Sequence, residues 1–67
     1  MYLIIFDSQK FEDQAAEELM HTSHLQREGD EIVQFPASLA RIRQASLAGI
    51  PFEVWRNGDE HPFLVHK

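Results

Sequence analysis

"PFEVWRNGDEHPFLVH", residues Pro51 to His66, is the stretch on which the reading of the fold turns. Asn57-Gly58 separates two runs of aromatic and β-branched residues, and Asn-Gly supplies the two positive φ angles of a type I′ turn at low steric cost. The pattern predicts a C-terminal β-hairpin with a two-residue loop, in which Arg56 pairs with Asp59, Val54 with His61 and Phe52 with Phe63. Trp55, paired with Glu60, projects from the opposite face of that hairpin. Pro62 falls across from Glu53 with its missing N–H turned away from the partner strand, so the last strand reads as a protected sheet edge.

Working back along the chain, Gly49 and Pro51 are stop signals for a helix over Leu39 to Ala48 that Ser38 caps. Its expected inner side is Leu39, Ile42 and Ser46, with Arg41 and Gln44 facing out. Glu31 to Phe35 reads as a short strand ended by Pro36. Tyr2 to Phe6 is a continuous apolar run, the signature of a central strand buried on both faces. Asp7 and Ser8 then cap a helix whose apolar positions Phe11, Ala15, Leu19 and Leu25 share one face until Gly29 stops it, with the weak helix formers of "HTSH" offering a break near Thr22. The expected fold is a single α+β domain over residues 1–67: a three- or four-stranded sheet with a C-terminal β-hairpin and two helices packed on one face, in the order β-α-(β)-α-β-β. If the helices cover Phe52, Val54 and Phe63, Trp55 lies exposed or in an interface.

At 67 residues the chain is near the lower size at which packing alone sustains a fold, and it has no cysteine, which excludes disulfides and thiolate metal sites. The net charge of -5 is unevenly spread. Residues 1–31 carry eight acids (Asp7, Glu12, Asp13, Glu17, Glu18, Glu28, Asp30, Glu31) against Lys10 and Arg27, whereas the remainder is close to neutral. An acidic first half repels nucleic-acid phosphates and anionic lipid and attracts basic protein surfaces. The run "YLIIF" is too short for a signal-peptide core or a membrane span, so a cytoplasmic protein is the expectation.

Within "EELMHTSHLQRE" a continuous helix would put Glu17, His21, His24 and Glu28 on one stripe. Those residue types suit a divalent metal or a proton relay, but the HExxH spacing is absent, and a solvated helix face explains the stripe equally. His61 and His66, five apart on a strand, point to opposite faces and make poor co-ligands. Asp7 follows the first strand where ligand-binding groups often sit, and also where helix caps sit. No glycine-rich phosphate loop is present, and Ser8, Ser23, Ser38 and Ser46 lack a nucleophile-elbow context. No catalytic residues and no cofactor are expected.

Arg41, Arg43 and Arg56 are the candidate phosphate contacts. The order of strand, helix and hairpin in "EIVQFPASLARIRQASLAGIPFEVWRNGDEHPFLV" resembles the amino-terminal module of Phd/YefM-type antitoxins, with a helix about a turn and a half shorter and an acidic first half that the module lacks. The resemblance implies a DNA-binding repressor or antitoxin-like dimer as the alternative function. The leading expectation is a small noncatalytic acidic protein-binding module, a regulator or inhibitor that docks on a larger protein with a basic surface, with homodimer formation as a further option. Compact inhibitors of phages and mobile elements share this size and charge. The expected contact residues are Glu12, Asp13, Glu17, Glu18, Trp55 and Arg56, Trp and Arg being enriched at binding hot spots.

Overall fold

The computed structural model describes residues 1–67. The elements are β1 (Tyr2–Asp7), α1 (Ser8–Gln14), α2 (Glu17–Met20), β2 (Leu25–Glu28), β3 (Glu31–Ala37), α3 (Leu39–Ala48), β4 (Phe52–Arg56) and β5 (Leu64–His66). All five strands form one sheet in the order β2-β3-β1-β4-β5, and every neighbouring pair is antiparallel. The α+β class and the helix–sheet layering follow the sequence; the strand and helix counts do not.

β1 is central, as its apolar run requires, but it is not buried on both sides. Ile4 and Phe6 are fully buried, whereas the alternate residues Leu3 and Ile5 are only half-buried. Ile4 and Phe6 share their face with Ile32 of β3 and with Phe52 and Val54 of β4, and Phe11 of α1 and Leu19 of α2 pack onto it. The Phe6 ring lies 4.8 Å from that of Phe11 and 6.0 Å from that of Phe52.

The long helix expected through Leu25 breaks into three pieces. α1 ends at Gln14, with Ala15 already extended, and α2 is a single turn. Thr22 donates its hydroxyl to the Glu18 carbonyl at 2.8 Å, and His24 takes a left-handed φ of 69°. The chain then enters β2, which hairpins into β3 through Gly29-Asp30, with Glu28 opposite Glu31. The physical reason is local: "HTSH" consists of weak helix formers, and Ser and Thr compete for backbone partners. Gly-Asp is itself a two-residue hairpin signal, and here it outweighs a helical period carried by few apolar residues.

The C-terminal hairpin forms in another register. Phe52 pairs with His66, Glu53 with Val65 and Val54 with Leu64. Of Asn57 and Gly58 only Gly58, at 85°, has a positive φ, so the turn is not type I′. Asp59 N–H donates to the Arg56 carbonyl at 3.1 Å, but the Arg56 N–H goes to the Asp59 carboxylate at 2.8 Å, not to a strand carbonyl. That side chain ends the ladder, Pro62 has no N–H to restart it, and pairing resumes only with Phe63 N–H donating to the Val54 carbonyl at 2.7 Å.

β3 runs past Pro36 to Ala37, one residue of irregularity shifting its register against β1 between Ile4↔Gln34 and Tyr2↔Ala37. α3 has its expected caps: Ser38 Oγ accepts from Arg41 N–H at 3.2 Å, and Gly49 closes the helix at φ 74°. Its rotation differs from the expected one. Arg41 and Ala45 are buried, Ile42 is half-buried, and Leu39 and Ser46 face out. The Arg41 guanidinium donates from Nε to Gln34 Oε1 at 2.8 Å, from Nη2 to the Leu19 carbonyl at 2.7 Å and from Nη1 to Gln44 Oε1 at 3.3 Å. One side chain thereby ties α3 to β3 and α2, and burial lowers its pKa from the ordinary arginine value.

Candidate functional site

All three helices lie on one side of the sheet, so the other side has no covering layer. Register and the two-residue alternation of strands place Leu3 and Ile5 of β1, Val33 and Phe35 of β3, Trp55 of β4 and Val65 of β5 on that side. Leu3 and Trp55 are direct cross-strand partners. Leu3, Ile5, Phe35 and Trp55 line a shallow cleft of about 520 Å³ that Arg56, Asn57 and Gly58 close at one end. The indole Nε1–H reaches Glu53 Oε1 at 3.4 Å, leaving the ring half-buried and its apolar body beside the cleft. Phe35 is 53% and Val65 51% exposed, an unusual outlay of apolar surface for a chain with so small a core.

The opposite end of the same face is acidic. Asp7 pairs with Glu31, which pairs in turn with Glu28, so three carboxylates occupy successive strands in register. Asp30 and Glu53 join Asp7 and Glu31 around a second groove of about 370 Å³, whose lining also includes His66 and one cation, Lys67, against the four carboxylates. Like charges directly across a strand pair destabilise a sheet, and a cationic neighbour relieves them. The face thus runs from an aromatic, apolar centre to an anionic end.

The expected contact residues are split between the two layers. Glu12 forms an ion pair with Arg27, Glu17 lies 3.8 Å from His21, and Asp13 and Glu18 are exposed, all on the helical layer. Trp55 is on the other layer. Arg56, although next to it in sequence, turns away: its Nε lies 3.3 Å from Asp59 Oδ2 and its guanidinium carbon 4.1 Å from the Phe63 ring centre, with Tyr2 stacked on that ring at 6.0 Å. The apolar run "YLIIF" suggests two-sided burial and the short strand Glu31 to Phe35 carries no face assignment, so the apolar neighbours of Trp55 are not evident from the sequence. An uncovered face writes the same pattern.

The histidine stripe is not formed. Glu17 and His21 keep their helical spacing, but His24 sits in the turn after α2 and Glu28 ends β2, and no three metal-ligating side chains come together. His61 lies in the loop before β5 and does not pair with Val54, and His66 stacks on Phe52 at 5.0 Å. Asp7 caps α1, accepting from Lys10 N–H at 3.0 Å. Arg41 is buried while Arg43 is exposed, so the arginines do not form one phosphate-contacting surface. No helix is long and apolar enough to cross a membrane.

Asp59 gives the loop a pH dependence. The backbone N–H of Arg56 holds the Asp59 carboxyl below the ordinary carboxylate range; burial opposes it, and the Arg56 guanidinium adds smaller lowering effects. A depressed folded-state pKa means that the anchor is present at neutral pH and is lost as pH falls through the folded value. The Arg56 amide resonance is expected to titrate in the acid range and to lose that titration in Asp59→Asn. A wild-type amide that stays flat through the acid range contradicts the anchor. Compared with known proteins, the chain matches no family model and shows no significant similarity to a curated protein or a solved structure.

Proposed function

We propose that this chain is a small noncatalytic protein-binding module, a regulator or inhibitor, that docks on a larger protein through the uncovered face of its sheet with Trp55 at the centre. The observation that carries the reading is the apolar face of Leu3, Ile5, Val33, Phe35, Trp55 and Val65, which has no layer over it. A sheet face of this kind gains its stabilisation when another apolar surface covers it. The carboxylates of Asp7, Glu28 and Glu31 at one end select a partner whose apolar patch is flanked by lysine or arginine. Glu12, Asp13, Glu17 and Glu18, on the far layer, act at longer range by drawing a basic partner in.

This division of labour is testable by kinetics. The test is made with the partner isolated on the wild-type chain. Replacing Glu12, Asp13, Glu17 and Glu18 with lysine is expected to slow association about tenfold at low salt and to leave dissociation unchanged, since electrostatic steering acts on encounter. The difference should shrink at high salt as screening shortens the range of the field. A large rise in dissociation rate would instead place the helical acids inside the contact and overturn the assignment to the sheet face.

A further inference from the structure

A third cleft, of about 600 Å³, opens on the helical side between the 21–24 turn, the end of β3 and the start of α3. Thr22, His24, Gln34, Ser38, Arg41 and Gln44 supply its polar lining. The chain has eleven acidic residues, yet none of them lines this cleft; its ionisable side chains are Arg41 and His24, and Met1, with its α-amino group, is also in the lining. The guanidinium of Arg41, a residue only 6% exposed, has no carboxylate partner: its acceptors are two side-chain amides and a backbone carbonyl.

The hydrogen bonds already made leave the cleft rich in donors. Gln34 Oε1 and Gln44 Oε1 both accept from the guanidinium, and Ser38 Oγ accepts from the Arg41 backbone N–H. The Thr22 hydroxyl proton is engaged with the Glu18 carbonyl. The free capacity is the amide N–H groups of Gln34 and Gln44, the Ser38 hydroxyl proton and the remaining guanidinium N–H groups. Turning either amide round would set N–H₂ against guanidinium, so this orientation is fixed by chemistry. Gln34 is only 3% exposed and its amide nitrogen makes no hydrogen bond within the chain. The Gln34 amide nitrogen has no protein acceptor but is not sealed from solvent, so a donor open to the cleft stands beside a buried cation with no counter-charge, and both suit the same ligand. α3 starts at the rim, and the positive end of its dipole adds to the preference.

We propose that this cleft binds a small oxyanion, a carboxylate or a phosphate group, through Arg41, Gln34, Gln44 and Ser38. The site is on the layer opposite the docking face and does not depend on it. The test is an NMR titration of the full chain with sodium phosphate and, separately, sodium acetate, each set against sodium chloride at matched ionic strength. Saturable one-site shifts of the Gln34 and Gln44 side-chain amides and of Arg41 Nε–H are expected with at least one oxyanion, and which one saturates tells tetrahedral from planar recognition. Shifts that stay linear, or that chloride reproduces, mean an adventitious ion only and overturn the site. Gln44→Glu changes an exposed position and sets a carboxylate beside Arg41, so the fold should persist while oxyanion affinity falls about tenfold or more. Unchanged affinity in a folded Gln44→Glu protein would also overturn it.

Discussion

Arg41→Ala is expected to lower the unfolding free energy by about 3 kcal/mol, because it removes a buried charged donor from several acceptors at once. Gln34, only 3% exposed, would lose its acceptor's partner, and so would the Leu19 carbonyl, the only direct hydrogen bond from α3 to α2. For a domain of this size, whose total stability is about 3–10 kcal/mol, that loss is a large share. Arg41→Met restores the packing of the stem but not the donors, and is expected to recover only part of it. Gln34→Met combined with Arg41→Met removes an acceptor together with its donor and should cost less than the sum of the single changes. Urea melts of wild type, the three single variants and the double variant check this; Arg41 variants within about 0.5 kcal/mol of wild type would show that the guanidinium is not a structural tie.

Trp55→Ser is expected to weaken binding of the larger partner about a hundredfold or more while lowering stability far less than Arg41→Ala does. The asymmetry follows from placement. Phe52 and Val54, the neighbours of Trp55 on the other face of β4, are buried under the helices, whereas the indole is half-buried in an open cleft shared with Leu3, Ile5, Phe35 and the 56–58 turn, with the Glu53 carboxylate at its Nε1–H. Removing it therefore opens no cavity in the core, yet it strips the largest apolar side chain from the exposed face. Calorimetric titration against the partner measures the change, and an affinity within about threefold of wild type would remove Trp55 from the contact.

Much of the scaffold was legible in the sequence because its signals are local. Tyr2 to Phe6 reads as a central strand, Ser38 and Gly49 mark the ends of α3, and the aromatic run before Asn57 is β4. What could not be read depended on competition between side chain and backbone. Asp59 captures the Arg56 N–H and moves the hairpin register, and although "HTSH" offers a break near Thr22, nothing in it announces that the chain leaves His24 as strand β2. The rotation of α3 was misjudged for another reason: an arginine satisfied by two glutamines and a carbonyl can sit inward, and hydrophobic periodicity has no way of announcing that.

The candidate site was half visible. Trp55 was expected on the face away from Phe52 and Val54 and is found there, but its neighbours come from β1 and β3, brought beside β4 only by the sheet order. The acidic residues were expected to act with it, and the layers separate them. Under the proposed function that separation assigns contact and steering to different faces, so each can be removed by itself.

Trp55 is the only tryptophan in the chain, so 5-fluorotryptophan labels the proposed contact and nothing else in the protein. The most direct measurement is the ¹⁹F spectrum of the labelled chain, free and bound to its partner, with the solvent-isotope shift between H₂O and D₂O recorded in both states. The docking account predicts a shifted resonance whose solvent-isotope effect largely disappears on binding. A resonance that keeps both its position and its solvent response in the complex would contradict it.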